Sequence, residues 1–242
     1  MATPDRPSRG FGHVPPPYYR RHCDSESMHE LYVESGVGMA FSDGAAAWSF
    51  AADHWGVCVQ ARSADEAVAT WTERFGPAWV TEVIHGDEQA FSRDYQEVSD
   101  HELAVTLAIL EKQRHRALAC LDRLDEGTLD RDDPGRVMPS WARWRTIRQM
   151  LWHICDTESR YYLPMTGLPA RESATALHTE LIESHRHVAD VLVDMRRDLV
   201  HHAGGEIWTS TKLLRRLAWH ERGELDAIDD LLTRWRVEAP GP

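Results

Sequence analysis

The sequence predicts a mainly α chain: an up-down four-helix bundle preceded by a small α+β unit. Three observations carry this prediction. Between Ser99 and Arg236, apolar residues recur at alternating three- and four-residue steps, the period of a helix face. Within that stretch Ser99 with Glu102, and Thr146 with Gln149, have the capping-box pattern that marks helix starts. Ahead of it, short runs rich in Val, Tyr, Trp and Phe are separated by Gly, Ser and Asp, the texture of strands and turns.

Residues 1–27 are rich in Pro, Gly, Arg and Ser and are expected to form a flexible tail. Residues 28–97 carry the α+β unit. HELYVESG and AAAWSFAADHWGVCVQA supply its first strands, and Ser63 caps a short helix, SADEAVATWTERFG, that Gly76 closes. A further strand, AWVTEVIHG, follows. A unit this small is marginal alone, so it should pack on what comes next.

Residues 98–237 carry the four helices. Leu103, Leu107, Leu110, Ala117, Leu121 and Leu124 form the stripe of the first, which an acidic Pro-Gly loop ends. TIRQMLWHICDTESRYYL is the second, stopped by Pro164 and Gly167. The third, about 174–200, buries Leu177, Leu181, Val188, Leu192, Met195 and Leu199 before His201 to Gly205 break it. The fourth spans 208–236. Thr209 or Ser210 can cap it, and Leu214, Leu217, Glu221, Glu224, Ile228, Leu231 and Trp235 form its inward stripe. Residues 238–242 are a second tail.

Composition narrows the function. Apolar residues make up 42% and charged residues 27%, enough for an ordinary core. No apolar run reaches the ~20 residues of a membrane span, and the first residues lack the apolar region of a secretory signal. A cytoplasmic protein with no membrane partner is therefore expected. The 39 acids outnumber the 27 bases, giving a net charge of −12 that repels phosphate backbones and argues against nucleic-acid binding. Cys23, Cys58, Cys120 and Cys155 are scattered with no CxxC pair, and read as free thiols.

The fourth-helix stripe has a polar gap. His220 and Glu224 lie one turn apart across it, so both point the same way. On the second helix, His153 lies beside the apolar positions Met150 and Ile154. Two imidazoles and one carboxylate from facing helices make a donor set for Zn²⁺ with a water in the fourth position, or for Fe²⁺, Ni²⁺ or another first-row ion. The same residues also fit a half-exposed histidine beside a solvated acid. Other candidates read as ordinary. His185 and His187 point away from each other on the third helix, His201 and His202 can complement its C-terminal dipole, and His101 and His115 lie off the stripe. Cys155 reads as packing, and Glu158 as a solvated acid rather than a support for a metal ligand.

TIRQMLWHICDTESRYYL and LLRRLAWHERGELDAI resemble the metal-bearing helices of the DinB-like superfamily. That group includes mycothiol-dependent maleylpyruvate isomerases, bacillithiol transferases and the helical domain of ergothioneine-forming enzymes. Its members place one histidine on the second helix and a pair at i, i+4 on the fourth. The resemblance covers roughly 99–236 and implies His153, His220 and Glu224 as ligands of a divalent metal. Glu224 stands where the family usually has a second histidine of the pair. GVCVQARSADEAVATW is similar to the strand, turn and helix of the HicB-like fold, which implies an accessory unit that covers the bundle or makes a homodimer.

Two functions follow. In the first, the ion activates a low-molecular-weight thiol, mycothiol or another, for S-transfer to an electrophilic small molecule. A variant polarises a carbonyl for isomerisation or hydrolysis. Arg148, Arg160, Arg215 and Arg216 lie on the same two helices and could hold an anionic substrate, although exposed arginines paired with nearby acids would look the same. In the second, the chain is a non-catalytic stress-related protein whose metal site has eroded at Glu224.

Overall fold

The computed structural model describes residues 28–37, 43–134 and 142–238. The expected tails at 1–27 and 239–242 lie outside the described residues, while Glu238 closes the last helix. The chain opens with β1 (His29–Val37), β2 (Gly44–Trp48) and β3 (Cys58–Ala61), followed by α1 (Ala64–Phe75) and β4 (Ala78–His85). They form one mixed sheet in the order β3-β2-β1-β4, antiparallel except for the β1/β4 pair. Ser63 caps α1 through a hydrogen bond from the Glu66 amide, and Gly76 ends it at φ 103°, a conformation that favours glycine.

Both faces of the sheet are covered, for different reasons. On one, Val33, Ala45, Ala47 and Ala61 meet Ala67, and Leu31 and Val59 meet Trp71, so α1 lies across the strands. On the other, Tyr32, Ala46 and Trp48 pack with Phe91 and reach Trp219. The alanines of β2 let both layers approach closely.

The rest of the chain is α2 (Asp100–Arg123), α3 (Glu126–Leu129), α4 (Ile147–Asp156), a π-helical stretch (Thr157–Tyr162), α5 (Leu163–Met165), α6 (Leu177–Asp194), β5 (Val200–Ala203), β6 (Glu206–Thr209) and α7 (Ser210–Glu238). Both capping boxes form as the sequence predicts. Thr209 caps α7, accepting from the Lys212 amide at 3.0 Å.

The expectation of a mainly α, up-down four-helix bundle is overturned: the fold is mixed α+β, 56% helical, with the four-stranded sheet and a separate two-stranded hairpin. Three local facts explain the difference. The second helix keeps α geometry for ten residues, then widens into the π stretch. The third stops at Asp194 rather than near residue 200, because Met195 is extended and the chain turns back as the β5/β6 hairpin. Gly204 and Gly205, both at positive φ, make that turn. Finally, α7 is shared. It packs on α2 and α4, while its first turns sit beneath the sheet. Helical periodicity registers each stripe alone and carries no information about a sheet docked on one of them.

No helix among the described residues is long and apolar enough to cross a membrane.

Candidate metal centre

The middle of α7 faces α4. There the structure brings His153, His220 and Glu224 together, one ligand atom from each lying within 4.8 Å of the others. The two imidazole Nε2 atoms are 3.1 Å apart, and Glu224 Oε1 is 3.9 Å from His153 Nε2. The spacing arises locally. His220 and Glu224 are one turn apart on α7, and α4 holds His153 through buried Met150 and Ile154, its neighbours on the apolar face.

His153 is held on two sides. Thr157 Oγ1 lies 3.2 Å from its Nδ1, one turn on. The indole of Trp144 stacks on its ring with centroids 3.4 Å apart and planes 12° apart. The Thr157 hydroxyl also lies 3.4 Å from Nε2, so it sits beside both ring nitrogens. The stacked indole holds the ring plane, a support of the kind a metal-ligating imidazole needs. Sequence reasoning missed Trp144, whose only signal is a place two residues before the Thr146 cap.

His220 is buried, and its Nδ1 has no hydrogen-bond partner. Burial holds its pKa well below the ordinary imidazole value, reinforced by His153 and then by Arg216. The ring is thus neutral at physiological pH, the form a metal requires. Without an ion, one proton must sit between the two Nε2 atoms. Two nitrogens each ~2.05 Å from a tetrahedral ion would be roughly 3.3 Å apart, close to what is seen. The donor set therefore fits a divalent ion that replaces this proton, with Glu224 as third ligand after a small side-chain adjustment.

The four arginines lie elsewhere, in pairs with the protein's own acids. Arg148 bonds Asp130 and Glu126, and Arg160 bonds Asp156 and Glu180. Arg215 and Arg216 are buried beneath the sheet. Arg215 makes a two-pronged contact with Asp94, at 2.9 and 2.8 Å, and reaches Glu34 at 3.0 Å. Arg216 reaches the other oxygen of Glu34 at 2.8 Å. Of the four, Arg216 comes nearest the triad, one turn before His220, close enough to lower its pKa.

Glu158, read from the sequence as a solvated acid, is instead buried, as is Glu221 of the α7 stripe. Arg114 of α2 joins them, its Nε at 2.7 Å from Glu221 and its Nη2 at 2.8 Å from Glu158. Burial raises the Glu158 pKa well above the carboxylate range, as does Glu221, and Arg114 opposes both. The signal for this cluster was present in the sequence: Arg114 occupies the slot between Leu110 and Ala117 on the α2 stripe, where an apolar residue belongs. His201 and His202, read as helix-end histidines, lie within β5. Cys155 is buried, as its packing role required, and burial pushes its thiol up to about 12.

Comparison with known proteins returns no match, neither a family model, nor a curated protein, nor a solved structure.

Proposed function

We propose that the chain binds one divalent metal ion through His153, His220 and Glu224 and uses it to activate a small molecule, in the first instance a low-molecular-weight thiol for transfer to an electrophile. The observation that carries the metal reading is the convergence of three ligand atoms from α4 and α7 within 4.8 Å. The thiol rests on the resemblance of the two ligand-bearing helices to DinB-like enzymes.

The protein's own groups have defined tasks. Thr157 and Trp144 hold the His153 ring in place. Burial keeps His220 neutral, with a lone pair to give. Glu224 supplies one negative charge, so a divalent centre with two neutral imidazoles carries a net charge of +1 and favours an anionic ligand. Tyr162 and Trp144 wall the site and limit water. When bound, the ion supplies Lewis acidity, lowering the pKa of a thiol or water in its open position.

A second reading, activation of water for isomerisation or hydrolysis, is favoured by Glu224 itself. A two-histidine, one-glutamate set is the donor set of water-activating zinc sites.

Elemental analysis of protein purified without a His tag or chelator tests the metal. One divalent ion per chain is expected, and His220→Ala should lose it; near-zero metal in both refutes the proposal. Cobalt substitution then separates the chemistries. A small thiol should give a sulfur-to-cobalt charge-transfer band in the near ultraviolet that His153→Ala lacks. With cobalt bound and no band for any thiol, the water reading takes over.

A further inference from the structure

Gly223 lies inside α7 with no structural reason to be glycine. It is not among the residues at positive φ. A Cβ built there would meet only the Trp219 indole Nε1, at 3.9 Å, an ordinary contact. Glycine is among the poorest residues for a helix interior, and neither a turn nor a close approach offsets that here. What distinguishes the position is its place: one turn after His220, on the flank of the face that carries the triad. A helical side chain covers the turn N-terminal to its own Cα, so any side chain at 223 would sweep back over 219 and 220. Gly223 is exposed, and His153 and Glu224 each keep 18% of their side-chain surface open to solvent. Gly223 thus leaves the α7 surface bare beside a triad that is partly open to solvent.

Trp219 borders the same gap. Its ring packs against His220 and Trp48, with centroids 6.1 and 5.5 Å away. Its Nε1–H can only donate, it bonds to no other described residue, and it is not one of the buried atoms left without a partner, so solvent reaches it. We propose that the bare turn at Gly223 is the entrance to the metal centre, and that Trp219 Nε1–H donates to the ligand that enters. This rests on the metal reading above. The net charge of +1 selects an anion. The indole donor selects one with a second acceptor atom beyond the atom on the metal, as in azide or a carboxylate. A simple thiolate has the charge but no second acceptor.

The test uses the full-length chain loaded with Co²⁺. Azide, acetate and ethanethiol are titrated separately while the cobalt absorption is followed. Gly223→Leu should keep one Co²⁺ per chain and weaken azide at least tenfold. Gly223→Ala, which adds only the Cβ, should bind azide as the wild type does and melt at a higher temperature in the metal-free form. Trp219→Phe should weaken azide and acetate about fivefold, the usual worth of one hydrogen bond, and leave ethanethiol unchanged. Wild-type azide affinity in cobalt-loaded Gly223→Leu overturns the entrance. Equal weakening of all three ligands, or of none, in cobalt-loaded Trp219→Phe overturns the donor. A wild type that takes up no Co²⁺ removes the metal reading, and this inference with it.

Discussion

The two halves of α7 handle buried polar groups in opposite ways. In the first half, each buried charge meets an opposite charge or a ring of carbonyls, although Arg215 Nη1 itself makes no hydrogen bond. Arg215 and Arg216 face Glu34 and Asp94, two charges against two, and Trp48 Nε1 donates to Glu34 as well. Arg215 also lies over the rings of Trp48 and Phe91. Lys212 is enclosed by the carbonyls of Asp87, Gln89 and Ile207 at 2.5, 2.6 and 2.9 Å, three acceptors for the three donors of an ammonium. Burial, Arg216 and Arg215 push its pKa down to about 7. One turn further on, towards the middle of the helix, His220 meets His153 of α4 nose to nose beside the Glu224 carboxylate, with Nδ1 of His220 unsatisfied and solvent at the edge. A closed, matched set of charges joins layers. An open set of lone pairs that share one proton is arranged for something to be added.

If that contrast holds, removing a charge from the matched half should cost most. Arg215→Met leaves Asp94 buried without its arginine and Glu34 with one of its two, and should lose about 3–5 kcal/mol of stability in denaturant melts. A loss below ~1 kcal/mol would mean that these pairs do not join the sheet to α7. The same variant, where it still folds, should take up metal at wild-type stoichiometry.

The cluster around Arg114 lies between the two extremes, with two carboxylates for one guanidinium. The raised Glu158 pKa means that the folded state holds a proton which the unfolded state releases near the ordinary carboxylate value. Its contribution is therefore present in full at low pH and lost as pH climbs through the raised value. Glu158→Gln, which cannot ionise, should flatten that decline, changing relative stability by on the order of 1 kcal/mol across the window. Parallel melting curves for variant and wild type from pH 4 to 9 would show that no such proton is held.

The smallest effect belongs to the open half. Glu224→Leu should abolish metal binding yet leave the metal-free protein as stable as before, or raise its melting point by roughly 2–3 °C through added apolar burial. Metal at wild-type stoichiometry in this variant would remove Glu224 from the ligand set. Glu224→His should keep Zn²⁺ by restoring an imidazole pair at i, i+4.

The sequence showed local structure well and long-range structure poorly, and the residues explain why. Ser99, Thr146, Ser63 and Gly76 act within a few residues of their own positions, so their caps and stops were readable. His153, His220 and Glu224 were readable because a polar residue on an apolar face is conspicuous. The same logic applied to Arg114 and would have found the cluster with Glu221, had the α2 stripe been read for its exceptions. The docking of the sheet on α7 had no such signal. Arg215 and Arg216 follow Leu213 and Leu214 in an amphipathic helix, where adjacent arginines are usually solvated, and only the distant Glu34 and Asp94 make them buried. The π-helical widening after Asp156 was invisible too, since TESRYY has no proline or glycine to announce it.

The ion pairs between Glu34 and the two arginines span 181 and 182 residues of chain. During synthesis, the first strand must therefore wait for nearly the whole protein. At 5–20 residues per second, β1 leaves the ribosome roughly 10–40 s before Arg215 and Arg216 do. Until then one face of the sheet exposes Trp48, Tyr32 and an uncompensated carboxylate. The N-terminal layer is thus made first and finished last. A chain cut short before α7 leaves that face open and is a natural substrate for chaperones and proteases.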